Sequence, residues 1–187
     1  MSLQTWNEVL VSAQGAGTLF NTYTTAKTVL PSGCLVTLPP NWWYVGRMIR
    51  VKALGAISNI VTTPGTITLQ VNIGATAIFT TGAIQLNATA HTTLPFEFEA
   101  ILTCRAVGAS GNCMGQGKVT GIMFTNTAGQ TDNVNNHVTL MAPATAPAVG
   151  SNFDTTAQGV LDFFAGFSIS NAGNGIQIQQ YIVEALN

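Results

Sequence analysis

Glu97 and Glu99 are the two carboxylates whose spacing comes closest to acid–base machinery. A glycosidase needs such a pair facing each other across a bound sugar. These two sit in LPFEFEAILTCRAVG, where side chains alternate. Phe96, Phe98, Ala100, Leu102 and Cys104 share one face, and Glu97, Glu99, Thr103 and Arg105 share the other, with Ile101 the exception. Period-two alternation marks a strand with one face buried and one wet. On such a strand the carboxylates belong to a solvated or ion-paired outer face, so catalysis is not expected from them. Gly117-Lys118 is followed by Val119, and Asn112 stands where a phosphate loop needs its first Gly. His91 and His137 are isolated, so the clustered ligands of a zinc site are missing. Asp132, Asn133, Asn135, Asn136 and His137 offer oxygen and nitrogen ligands, but one acid is thin for calcium. No nucleophile elbow accompanies the triad-type residues. The expectation is no enzyme activity, no metal and no cofactor.

Three cysteines, Cys34, Cys104 and Cys113, are an odd count and do not form a disulfide framework. Cys104 and Cys113 would face each other across a hairpin centred between Gly108 and Ala109, where a bridge is possible. Buried free thiols are the preferred reading for a protein made in a reducing cytoplasm.

The elements that position these residues read as strands. Thr66–Ile73 alternates without a break: Ile67, Leu69, Val71 and Ile73 on one side, Thr66, Thr68, Gln70 and Asn72 on the other. Two long strand pairs are expected. One runs through RMIRVKALGAIS, a turn at Thr63-Pro64-Gly65 and TITLQVNI; the other has its turn at Gly108–Gly111. Lys27–Thr37 gives two short strands split by Pro31-Ser32-Gly33, a strong turn signal. The prolines of Leu38-Pro39-Pro40 put a loop before Trp42. Three adjacent aromatics, Trp42, Trp43 and Tyr44, cannot all face one core, so at least one is expected at an edge or interface. His137–Met141 and Gly159–Ile169 read as strands, Asn171–Gly175 as a hairpin turn signalled by Asn-Gly, and Gln177–Ala185 as the last strand. The expected fold is all-β: an antiparallel sandwich of eight to ten strands, jelly-roll-like, with no helix. Residues 1–25 form an arm or a first strand, and residues 26–187 a single sandwich domain.

The chain has 187 residues, enough for one sandwich. Only 7% are charged, against about 25% in an average soluble domain. Thr, Asn, Gln, Ser and Gly carry the polar surface instead, and so uncharged a surface does little to discourage association. The net charge of −1 argues against nucleic acid as a partner. No run approaches 18 apolar residues, which argues against a membrane span. MSLQTWNEVL has neither a basic start nor a continuous apolar core, so no signal peptide is expected.

From Leu38 to Gly117 the chain resembles a family of tailed-phage virion proteins with jelly-roll domains. The resemblance rests on LPPNWWYVGRMIRVKALGAIS, TPGTITLQVNIGATAIFTTGAI and LPFEFEAILTCRAVGASGNCMGQGKV, with the closing IQIQQYIVEALN. It implies a capsid decoration (cement) protein or a receptor-binding fibre-type domain, usually trimeric. The short chain lacks a fibrous or coiled-coil stalk, which favours a cement protein. Such a protein would bind the major capsid protein and its own copies as a homotrimer on the virion surface, after assembly in the host cytoplasm. A receptor-binding tail or head-fibre tip is the alternative, and a glycan-binding module the third reading. The interface candidates are Trp6 in the arm, Trp42, Trp43 and Tyr44, and Asn133, Asn135 and His137 in the polar loop.

Overall fold

A computed structural model describes residues 7–60, 62–125 and 138–186. Trp6, Asn133, Asn135 and His137 lie outside the described residues. The strands, in chain order, are β1 (Asn7–Ser12), β2 (Phe20–Asn21), β3 (Lys27–Thr28), β4 (Val36–Leu38), β5 (Met48–Asn59), β6 (Thr66–Ile73), β7 (Thr76–Thr80), β8 (Ile84–Gln85), β9 (His91–Ala106), β10 (Asn112–Gly121), β11 (Val138–Ala142), β12 (Gly159–Phe167) and β13 (Gly175–Leu186). Nine of them, β1, β5, β6, β7 and β9 to β13, are five residues or longer; the other four are two- or three-residue pieces at sheet margins. The helical content among the described residues is one 3-10 turn, Ser32–Cys34, at the predicted break between β3 and β4.

The strands form two antiparallel sheets. The first has the order β1-β13-β5-β9-β10-β11, with β2 also paired to β13. The second has the order β3-β12-β6-β7, with β4 on β12 and β8 on β6. The sheets pack face to face as a jelly-roll-like sandwich, and the period-two pattern decides which side chains lie between them. Ile67, Leu69, Val71, Phe98 and Leu102 are fully buried, and Phe96, Ala100 and Cys104 nearly so. Four rings drawn alternately from the two sheets run through the centre. Phe79 lies 6.0 Å from Phe98, Phe98 5.0 Å from Phe163, and Phe163 6.0 Å from Tyr181. Such tilted pairs add roughly 0.5–1.5 kcal/mol each beyond their burial.

Two expected hairpins are not hairpins. β5 and β6 flank Thr63-Pro64-Gly65 but lie in different sheets: β5 pairs with β9 and β13, and β6 with β12, β7 and β8. Likewise β12 and β13, on either side of Asn171–Gly175, belong to opposite sheets. Turn residues reverse the chain equally well within a sheet and across a sandwich corner. At the second turn the Asn174 amide is consumed by bonds to neighbouring loops rather than exposed at a hairpin tip. The β9–β10 hairpin forms as expected, with Cys104 directly opposite Cys113. All three cysteines are free and buried. Residues 7–12 form an edge strand paired to β13, with Asn7 opposite Leu186.

Candidate functional site

The two ends of the sandwich differ in kind. At one end the segment 39–47 closes the barrel-like opening with aromatics. Trp43 is a core plug, 6% exposed, with its ring edge-on to Phe153 at 5.7 Å. Trp42 is half-buried and meets Trp43 edge-on at 4.9 Å. The Arg47 guanidinium lies 3.8 Å from the Trp42 ring centre and 4.9 Å from that of Tyr44, and donates to the Trp42 carbonyl. Cation–π contacts of this kind contribute about 0.5–2 kcal/mol. The loop therefore holds itself together, and of the three adjacent aromatics Tyr44, at 49% exposure, is the one turned outward. Val45, Met48 and Val107 are exposed beside it.

The other end is built from buried amides under a polar skin. Asn59 ends β5, and its Nδ2 donates to the carbonyls of Asn87 (2.6 Å) and Thr89 (2.9 Å). That fixes the orientation of the amide, so Oδ1 must accept from His91, whose Nδ1 lies 3.1 Å away and therefore carries the proton. Asn174 is fully buried. Its Nδ2 donates to the carbonyls of Pro64 (3.0 Å) and Ile169 (3.3 Å), and its Oδ1 accepts from the Ile60 N–H (3.0 Å). Two side chains thus tie Ile60 and Pro64 to the segments 87–91 and 169–174. The Ser170 hydroxyl adds the segment 20–23 by donating to the Thr22 carbonyl at 2.6 Å.

Three residues of this same end hold left-handed backbone: Thr22 (φ 60°), Thr62 (φ 71°) and Thr93 (φ 54°). A β-branched residue there is a true outlier, at a cost of about 1–3 kcal/mol each. Bonds to neighbouring segments keep two of them in place: the Thr62 N–H donates to the Ala88 carbonyl (3.0 Å) and the Thr93 N–H to the Ser58 hydroxyl of β5 (2.9 Å). The exposed skin above the amides is Thr62, Thr63, Thr89, Thr92, Thr93, Ser170, Asn171 and Gly173 with the small apolar Ala88, Ala90 and Ala172, without a charge. Tyr23 stands exposed beside it, stacked on Phe20 at 5.4 Å, with Lys27 Nζ 3.9 Å from its ring centre. The arrangement is a cross-braced, hydrogen-bonding surface with Tyr23 and the Lys27 ammonium at its margin.

Glu97 and Glu99 do lie on the outer face of the first sheet, and both are paired. Lys52 bonds Glu97 at 3.1 Å, Arg50 and Lys118 each reach Glu99 at 3.6 Å, and Arg50 reaches Glu184 at 3.1 Å. Six of the thirteen charged side chains thus neutralise one another in one cross-strand ladder. Val9, Met48, Ile101 and Met141 are exposed on the same face. A cleft of about 260 Å³ opens between β8 and β11, lined by Ile84, Gln85, Thr139 and Met141 among others. Among the described residues no three His, Cys, Asp or Glu side chains gather as metal ligands.

The amide-pinned end was not among the sequence candidates. A buried Asn and a turn Asn are the same letter, and nothing in a sequence marks a threonine that will take positive φ.

No protein-family model matches the chain, and no curated protein matches it. Among solved structures, one described as the CBM2 module of the evolved Dit of Lactobacillus casei BL23 phage J-1 aligns at 12% identity. The alignment covers 99% of this chain and 98% of that one, with a TM-score of 0.35. At that level the likeness carries no argument about function.

Proposed function

We propose that this chain is a non-enzymatic receptor-binding module of a tailed-phage virion. In this reading it is attached through its aromatic end and presents the amide-pinned end to an uncharged, hydroxyl-rich polymer on the host surface. The observation that carries the reading is the concentration of strained threonines, cross-braced loops and an exposed tyrosine at one end. Strain of that kind is retained where a surface must be held ready for a ligand, and loops on a rigid scaffold are where binding residues gather. A neutral glycan matches a skin rich in hydroxyls, and Tyr23, whose ring already meets Phe20 and Lys27, adds its remaining exposed surface at the margin. Resemblance of Leu38–Gly117 to virion proteins supplies the setting. Of the aromatic anchors the cement role would use, Trp43 is packed in the core, while Trp42 is half-buried beside Arg47.

The test is competition. Free protein added to host cells should block adsorption of the virion. Tyr23→Ala and Asn171→Ala should each reduce that block at least tenfold; Tyr23→Ala also loses its contacts with Phe20 and Lys27, so its competition is measured well below its own lowered melting temperature. Undiminished competition by both variants would remove this end from the site.

A second reading keeps the cement function, with the major capsid protein and sister copies as partners. It is favoured by the outer face of the first sheet, where exposed Val9, Met48, Ile101 and Met141 surround a charge ladder that is already neutralised. Pairing lowers, but does not remove, the desolvation cost of covering its charges. Arg50→Glu together with Met141→Asp should then abolish particle binding; under the receptor reading they leave host adsorption unchanged.

A further inference from the structure

Cys104 and Cys113 are direct register partners on β9 and β10. The kind of pair follows from their backbone bonds. The Cys104 N–H donates to the Arg47 carbonyl (2.8 Å), and its carbonyl accepts from the Gly46 N–H (2.9 Å). Both bonds point away from β10. The Cys113 carbonyl accepts from the Gly150 N–H (2.8 Å), away from β9. The two therefore occupy a non-hydrogen-bonded site, where antiparallel neighbours approach closest, with Cα atoms about 4.5 Å apart. A disulfide spans Cα separations of about 4.4–6.8 Å. Both side chains point into the core with no exposure, and the Cys104 thiol donates to the Ala106 carbonyl at 3.4 Å.

We propose that Cys104 and Cys113 are a latent two-electron redox site that closes into a cross-strand disulfide when the protein leaves a reducing compartment and meets an oxidised low-molecular-weight disulfide. The Cys104 thiolate attacks one sulfur of the small disulfide and expels one small thiolate. Cys113 then loses its proton and attacks the Cys104 sulfur of the mixed disulfide, expelling the second. Two protein thiols are oxidised to one disulfide, one small disulfide is reduced to two thiols, and the two protons end on the leaving thiolates. The register already sets the two residues opposite each other, beside a bulge at Asn112/Cys113.

Burial sets the pace. It pushes both thiols above their ordinary range, Cys113 to about 12, with Cys104 eased back by the contact from Cys113. Thiolate is therefore scarce in the closed fold. Exchange goes through opening of the hairpin tip, where the Gly108 N–H is held by the Thr155 hydroxyl (2.8 Å) and the Thr155 N–H by the Gly108 carbonyl (3.0 Å). Closure should take hours rather than seconds. Cys34 sits apart on the 3-10 turn and serves as the internal control.

The experiment starts from the reduced full chain, incubated with excess glutathione disulfide at mildly alkaline pH, then denatured and alkylated. The expected result is a mass lower by two hydrogens, one alkylated thiol assigned to Cys34, and a peptide linking Cys104 to Cys113. The melting temperature should rise by about 5 °C, reversed by dithiothreitol. Cys34→Ala should close in the same way, and Cys104→Ala and Cys113→Ala should not. Three alkylatable thiols after a treatment that oxidises the denatured chain would overturn the proposal. So would a stable glutathione adduct without a bridge, or a bridge that uses Cys34.

Discussion

Asn174 illustrates how much of this molecule depends on single buried amides. Its three bonds reach Pro64, Ile169 and Ile60, and no water-exposed surface remains to replace them. Asn174→Ala strands a buried N–H and two carbonyls, each worth about 1–3 kcal/mol if left unpaired. We expect a loss of about 3 kcal/mol in denaturant unfolding, with proteolysis first at the segments 60–65 and 168–174. Asp162 makes the opposite case. Burial pushes its carboxyl above the ordinary value of 3.8, only partly offset by bonds from the Thr28 hydroxyl (2.7 Å) and the Phe163 N–H (2.6 Å). A raised folded-state pKa means the folded protein holds the proton more tightly than the unfolded chain. The stability this confers is complete below 3.8 and is lost as pH rises through the higher folded value. Asp162→Asn keeps both bonds through its amide oxygen, and should flatten that acid-side slope and raise stability at neutral pH. Thermal melts across the acid range check both points. The sequence shows Asn174 beside Gly175 and suggests an exposed turn, because residue type alone does not report which way an amide faces.

At the scale of elements, the alternation in Thr66–Ile73 and Leu94–Cys104 could be read correctly because period two is local. Face and burial follow from neighbours one and two residues away. Pairing partners could not be read in this way. Whether Thr63-Pro64-Gly65 joins two strands of one sheet or crosses to the other depends on contacts with β9, β12 and β13 far along the chain. The contact between sheets also depends on small residues. A Cβ at Gly115 of β10 would lie 2.4 Å from Phe79 Cδ2 of the opposite sheet. Gly115→Val should push Phe79 off Phe98 and cost about 1–3 kcal/mol, the usual range for overpacking, seen as a lowered unfolding midpoint and an altered near-ultraviolet dichroism signal. The charge ladder should matter far less. Its members are roughly a quarter to a half exposed, and exposed pairs contribute about 0–1 kcal/mol. Glu97→Gln and Glu99→Gln should each shift stability by less than about 1 kcal/mol, and by less still in high salt.

At the scale of the whole molecule, the two ends divide the labour. One end carries Tyr44, Val45, Met48 and Val107 outward around a self-bonded Arg47 stack. The other end carries neutral loops braced by Asn59 and Asn174. The receptor-binding proposal uses this polarity for end-on attachment with the loops facing outward, whereas the cement alternative lays the first sheet flat on the shell. A cryo-EM map of the virion that carries this chain tests the orientation most directly. The receptor account predicts copies at a tail or fibre tip, the Tyr44 end against a neighbouring chain and Thr62, Thr93 and Asn171 facing solvent. Copies spread over the head shell, with Ile101 and Met141 pressed against the capsid, would contradict it.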